Sequence, residues 1–125
     1  MTTLNELTSR RCLPCTSDTP TLSRTETTRY LSAMQEWQLS ENNSRITRRF
    51  NFKNFHHTMA FINAMAWLAH QEDHHPDFSA GYQHCLVSFT THAIGGLSEN
   101  DFICAAKVDT LMNPDRNQIS GNAVS

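Results

Sequence analysis

The sequence lacks the features that mark several large protein classes. No apolar run approaches the roughly 18 residues of a membrane span. There is no basic surplus: Lys and Arg number 10 against 12 Asp and Glu, a formal charge of -2. A protein that binds nucleic acid by counterion release would carry the opposite balance. No charged segment followed by an apolar one marks a secretory signal. Glycine is scarce, at 4 residues, and there is no G-x-S-x-G elbow, P-loop or G-x-G-x-x-G loop. Membrane, collagen-like and fully disordered classes are set aside on these grounds. The 125 residues amount to one domain.

Cysteine is sparse as well. Cys12 and Cys15 form a C-x2-C pair, but no second pair completes a four-ligand zinc site. Nothing apolar precedes Cys12, as the strand before a redox helix would require. The pair is read as incidental, or as a weak metal scavenger. Cys85 falls in an apolar alternation and is read as a core thiol. With no export signal, a reduced cytoplasmic setting is expected.

Histidine, by contrast, is plentiful. Of 7 in the chain, 5 fall between His70 and His92. Its unperturbed pKa of about 6.5 is the closest of any side chain to neutrality. The densest feature is His70-Gln71-Glu72-Asp73-His74-His75-Pro76. His70 and His74 lie one helical turn apart, on one face. His75 follows at the helix end, and His92 comes where a strand leaves the sheet. Such a cluster suits general acid–base work without a cofactor. A metal site is the rival. Yet Gln71 stands where a His-Glu-x-x-His helix needs glutamate, and Asp73 where His-x-x-Glu-His needs it. A three-histidine site with His92 stays open on spacing alone. His56, His57 and His84 are read as ordinary surface histidines.

The rest of the chain gives the order of elements. Residues 1–20 sustain no period, hold Pro14 and Pro20, and are expected to form an irregular or mobile arm. Ser23 and Glu26 make a capping box for a helix over about Ser23–Met34. Trp37 and Leu39 fit a short strand, and Glu41 to Ser44 a turn. Ile46, Arg48, Phe50 and Phe52 then alternate with polar neighbours, completing a hairpin. Arg45, Arg48, Arg49 and Lys53 form a basic run, read as a solvated strand face. Asn54 caps a long helix to about Asp73, with Phe55, Met59, Ile62, Ala66 and Ala69 as its buried stripe. Pro76 bars its continuation. Phe78–Tyr82 and His84–Thr91 form a second hairpin. After the Gly95-Gly96 loop, Ser98 and Asp101 cap a last helix, with Phe102, Ala105, Ala106 and Leu111 buried. Residues 21–112 make the domain, and a polar tail follows from Asn113.

The order α-β-β-α-β-β-α predicts an α+β fold: a four-stranded antiparallel sheet with three helices packed on one face. Met59, Phe61, Ile62, Met65 and Trp67 give the central helix more apolar surface than one core face needs. A homo-oligomer interface, in a homodimer or homotetramer, is the expected use.

These residues resemble the pterin-4a-carbinolamine dehydratases. The carrying motif is His70-x3-His74-His75-Pro76-Asp77-Phe78, then Tyr82, Thr91-His92, Gly96-Leu97-Ser98 and Asp101. The run Phe50-x-Phe52-Lys53-Asn54-Phe55, with Phe61, is similar too, and the likeness spans about Ser23 to Leu111. The C-x2-C arm looks like that of some bacterial members. The resemblance implies a cofactor-free lyase that dehydrates 4a-hydroxytetrahydropterin to the quinonoid dihydropterin. That step recycles the pterin spent by aromatic amino acid hydroxylases. It implies His74, His75 and His92 as the catalytic trio, with His74 and His92 as candidate acids and His75 holding the pterin. Asp73, Thr90, Thr91 and Ala93 would line the substrate with the trio. His70, Phe78 and Asp101 would support it, Asp101 by orienting His92. Three positions depart from the common pattern. His70 stands where many members have glutamate, Phe78 where tryptophan is common, and Ala93 where some carry a polar residue. Animal members also act as dimerisation cofactors of a transcription factor, which makes a binding protein the alternative.

Overall fold

The computed structural model describes residues 4–112. The elements run α1 (Leu4–Ser9), α2 (Arg24–Leu31), β1 (Gln38–Leu39), β2 (Ile46–Asn51), α3 (Phe55–Glu72), β3 (Asp77–Ala80), β4 (His84–Phe89) and α4 (Glu99–Thr110). The strands form one antiparallel sheet in the order β1-β2-β4-β3. Both expected hairpins are present, and β2 pairs with β4 at the centre, from Ile46 opposite Phe89 to Asn51 opposite His84. The fold is α+β, with one helix more than the expected order. The polar tail expected from Asn113 lies outside the described residues.

Strand alternation decides which side of the sheet the helices cover. Ile46, Phe50, Cys85, Val87 and Phe89 point to one face and are buried. Arg49, Asn51 and Leu86 point to the other and stay exposed. Leu97, Phe102, Ile103, Ala105 and Val108 complete the core from the segment after the sheet. Phe50, Phe89 and Phe102 are each almost fully buried, which stabilises the fold by about 2–3 kcal/mol apiece. Burial pushes the Cys85 thiol up to about 11, so it behaves as the core thiol expected of it.

The helix ends follow their signals. Ser23 and Glu26 close a capping box on α2: the Glu26 N–H donates to Ser23 Oγ at 3.2 Å, and the Ser23 N–H to Glu26 Oε1 at 2.8 Å. Asn54 Oδ1 accepts the His57 N–H at 2.9 Å and starts α3. Asp73 ends α3 in the left-handed region, φ 53° and ψ 42°.

Three expectations need correction. The arm is not wholly irregular, because residues 4–9 form α1, whose Leu7 has no exposed surface and joins the core. The buried stripe of α3 is Thr58, Phe61, Met65, Ala69 and Glu72, rotated from the expected one. Phe55 and Ala66 face out, while Met59 and Ile62 are half-buried. Polar Thr58 and Glu72 find partners inside, so polarity misplaces the stripe. Arg48 does not belong to a solvated face. Its Nη1 lies 2.8 Å from Asp109 Oδ1, and its guanidinium sits 4.4 Å from the Phe50 ring centroid.

Candidate active site

Asp73 is the first residue past α3, where glycine or asparagine is usual. Its N–H turns back to the carbonyls of Ala69 and His70, and the His74 N–H donates to Ala69 O at 3.2 Å. That closure is the Schellman arrangement, and it satisfies carbonyls the helix end would orphan. A non-glycine residue in this conformation costs about 1 kcal/mol. The chain leaves the turn as His74, His75 and Pro76, laid across the end of the helix rather than along it.

His92 is placed by a second device. Thr91 and Gly96 form an isolated antiparallel bridge, with the Thr91 N–H donating to Gly96 O at 2.9 Å. Between them His92–Ile94 make one 3-10 turn, closed by Gly95 at φ 64°. Gly96 is buried, and a Cβ there would lie 2.6 Å from Thr21 Cγ2. The two glycines therefore hold His92 on a short loop at the sheet end.

The two devices face one cavity of about 460 Å³. Asp73, His74, His75, Pro76 and Asp77 line it from the α3 end, and Thr90, Thr91, His92 and Ala93 from the end of β4. Cys12, Leu13, Pro14 and Cys15 of the N-terminal arm form a further wall, with Glu72 and Asn100 beneath. His75 and His92 are exposed, whereas the His74 side chain is only 12% exposed.

His74 is the anchored member. Its Nε2 lies 2.6 Å from Asp101 Oδ1, and its ring stacks on Phe89 at 8° with centroids 6.0 Å apart. Asp101 is wholly buried. Its Oδ2 accepts the Thr91 hydroxyl at 2.7 Å and the Ser98 N–H at 2.9 Å. The Ser98 and Thr91 hydroxyls are 2.7 Å apart. Asp101 thus ties His74 to the loop that carries His92, but its carboxylate bonds His74. Its reach toward His92 runs through Thr91, the residue before it.

His70 and Phe78 are not brought into the cavity. His70 is exposed and stacks against Trp67, with centroids 5.3 Å apart. Phe78 is half exposed on the edge strand β3. Among the described residues, no three His, Cys, Asp or Glu side chains group closely enough to hold a metal ion.

Several groups around the site have no counterpart in the sequence reading. Glu72 is buried under the arm. Its Oε1 accepts the Cys12 N–H at 2.8 Å, while Oε2 meets Lys107 Nζ at 2.7 Å and Arg11 Nε at 2.9 Å. Burial works to raise its pKa, but the Cys12 N–H, Lys107 and Arg11 win and hold it below the usual range. Asn100 grips Leu13 with both ends of its amide. Oδ1 accepts the Leu13 N–H at 3.0 Å, and Nδ2 donates to the Leu13 carbonyl at 2.6 Å. No periodicity signals either contact. Cys12 and Cys15, the C-x2-C pair of the arm, both lie in the cavity wall.

A family profile described as pterin 4 alpha carbinolamine dehydratase matches residues 20–111. The chain belongs to that family. A relative from Nitrosomonas eutropha is 56% identical over 113 residues, 90% of this chain and 98% of its own. One from Legionella pneumophila (strain Corby) is 46% identical over 109 residues, 86% of this chain and 96% of its own. Both carry the name pterin-4-alpha-carbinolamine dehydratase provisionally. A crystal structure titled transcriptional coactivator/pterin dehydratase, from Brucella melitensis, superposes with a TM-score of 0.71 at 32% identity. It covers 74% of this chain and 98% of that one. A second structure describes a pterin dehydratase-like protein as a RuBisCO assembly factor in the alpha-carboxysome. It reaches a TM-score of 0.56 at 25% identity, over 62% of this chain and 90% of that one. The family supports pterin carbinolamine dehydratase activity.

Proposed function

We propose that the protein dehydrates a 4a-hydroxytetrahydropterin by histidine acid–base catalysis without a cofactor, giving water and the quinonoid dihydropterin. The observation that carries this reading is the meeting of His74, His75 and His92 at one cavity, with His74 fastened to buried Asp101. The reaction needs a proton on the departing 4a-hydroxyl and removal of a proton from a ring nitrogen. Both transfers are work for imidazole near neutral pH.

Asp101 accepts from Nε2 of His74, which fixes the tautomer and leaves Nδ1 for proton traffic. His74 and His92 serve as the acids, one from each side of the ring. Exposed His75 holds the pterin and takes the ring proton. Asp73, Thr90, Thr91 and Ala93 line the substrate. The product returns to aromatic amino acid hydroxylation as recycled pterin.

The reading includes a cytoplasmic setting and self-association as a homodimer or homotetramer. Trp67 on α3 is 62% exposed, and Phe55 and Leu86 are also uncovered, which leaves apolar surface for a second copy. No helix among the described residues is long and apolar enough to cross a membrane. A binding role of the kind named in the Brucella title would act from such exposed surface rather than from the cavity. Substitutions of the cavity histidines therefore separate the two roles. The deciding experiment is stopped-flow dehydration of the carbinolamine by the purified full chain, with and without His74.

A further inference from the structure

The cavity wall supplied by the arm contains a feature that the proposed dehydration does not use. Cys12 Sγ lies 3.3 Å from Cys104 Sγ. Cys104 is buried inside α4, whereas Cys12 is half-buried and lines the cavity. All described cysteines are free thiols. A disulfide needs its sulfurs about 2.05 Å apart, so closure asks for little more than a side-chain adjustment. The two residues lie far apart in the chain, so one bond would join the arm to the last helix.

We propose that Cys12 and Cys104 are a redox modification site, closing to a reversible disulfide that fastens the arm wall of the cavity to α4. The oxidant is a small peroxide that enters through the cavity. Cys12 meets it first, because Cys104 is shielded. The Cys12 sulfur attacks one peroxide oxygen, giving Cys12 sulfenic acid and one water. The Cys104 sulfur then displaces the hydroxyl from Cys12, and that hydroxyl leaves as water with the Cys104 proton. Two thiols and one hydrogen peroxide thus give one disulfide and two waters. A small thiol reverses the bond by exchange. Contact with Cys12, and then burial, push the Cys104 thiol well above its ordinary range. Cys104 therefore stays protonated until it attacks, and passes its proton in that step to the departing hydroxyl.

The polar anchors of the arm make this bond consequential. Glu72 and Asn100 hold the backbone on either side of Cys12. Those contacts can open and close, whereas a disulfide cannot open without reduction. Oxidation would therefore remove the arm's local opening and keep the wall in place.

The test uses the full chain and needs no pterin turnover, so it stands or falls apart from the dehydratase reading. Reduced protein is treated with graded hydrogen peroxide, its remaining thiols are alkylated, and peptides are mapped without reduction. The expected product is a Cys12–Cys104 cross-linked peptide, absent in both Cys12→Ser and Cys104→Ala and removed by dithiothreitol. Tryptic cleavage after Arg11 should slow at least about tenfold on oxidation. The Tm should rise by about 5 °C or more. A Cys12–Cys15 or intermolecular linkage would overturn the proposal. So would over-oxidised Cys12 with no cross-link, or unchanged cleavage after Arg11 in cross-linked protein.

Discussion

Asp101 has no exposed surface, and its Oδ1 lies 2.6 Å from His74 Nε2. A buried carboxylate against one ring nitrogen favours a proton on that nitrogen, so in the proposed reaction Asp101 positions His74. Asp101→Asn keeps the shape but can present an amide N–H to Nε2, which favours the wrong tautomer. Turnover at saturating pterin should fall at least about 100-fold. KM should stay within about threefold, because Asp101 does not line the cavity. The remaining amide oxygen still accepts from Thr91 and Ser98, but as a neutral acceptor in place of a charged one, which should cost about 1 kcal/mol of stability. Steady-state kinetics and a urea titration on the same preparation check both. A purely structural Asp101 would give the stability loss with kcat unchanged.

Leu7 ties α1 to the core across the whole length of the chain. It has no exposed surface, and α1 packs against α4. Leu7→Ala should destabilise the protein by about 2–3 kcal/mol, the lower part of the range for a buried leucine, because a short terminal helix can settle into the gap. Urea unfolding measures it. A cost below about 0.5 kcal/mol would mean that the arm is not part of the cooperative fold.

Glu72 anchors the arm through the Cys12 N–H, Arg11 and Lys107. Its pKa is held below the ordinary carboxylate range. A depressed folded-state value means stability that is full above the unfolded value, near 4.5, and lost as the pH falls through the folded one. Glu72→Gln should cost about 2 kcal/mol at pH 7, since Lys107 is left largely buried without its partner. The cost should shrink below about pH 4. Cleavage after Arg11 should also quicken. Thermal scans at pH 7 and pH 3.5, with timed proteolysis, check these outcomes.

Asp109 titrates with the opposite sign. Burial pushes its carboxyl up to about 6, against the pull of Trp37 Nε1 and Arg48. A raised value means that the folded state binds the proton more tightly. Its contribution is full below about pH 4 and lost as the pH rises through about 6. Asp109→Asn cannot titrate. Relative to wild type, the variant should therefore gain about 2–3 kcal/mol between pH 4 and pH 6.5. Urea midpoints at the two values measure that gain, and parallel pH–stability curves would contradict it.

Much of this was legible in the sequence because the signals are local. The capping box at Ser23 and Glu26, the Asn54 cap and the alternation from Ile46 each set an element boundary within a few residues. The cavity histidines were legible as well, since His74 and His75 follow a helix end and His92 follows a strand end. The rest depends on partners remote in the chain. Helix α1 carries a weak local pattern, and Leu7 is buried only because α4 is there to receive it. The buried face of α3 is not legible from its apolar period, because Glu72 is buried through ion pairs with Arg11 and Lys107. Asp101 could be recognised as a cap, but not as the partner of His74. The same carboxylate serves both, and only the Asp73 turn brings His74 within reach. The place of Cys12 in the cavity wall rests likewise on Asn100 and Glu72, far along the chain.

The most direct test is the dehydration rate itself. Synthetic 4a-hydroxytetrahydropterin is mixed in a stopped-flow instrument with wild type, His74→Ala and His92→Ala, each confirmed as folded by circular dichroism. The expected result is a wild-type rate far above the spontaneous one, with kcat reduced at least about 100-fold in each variant. Folded wild-type protein that leaves the spontaneous rate unchanged would contradict the dehydratase assignment.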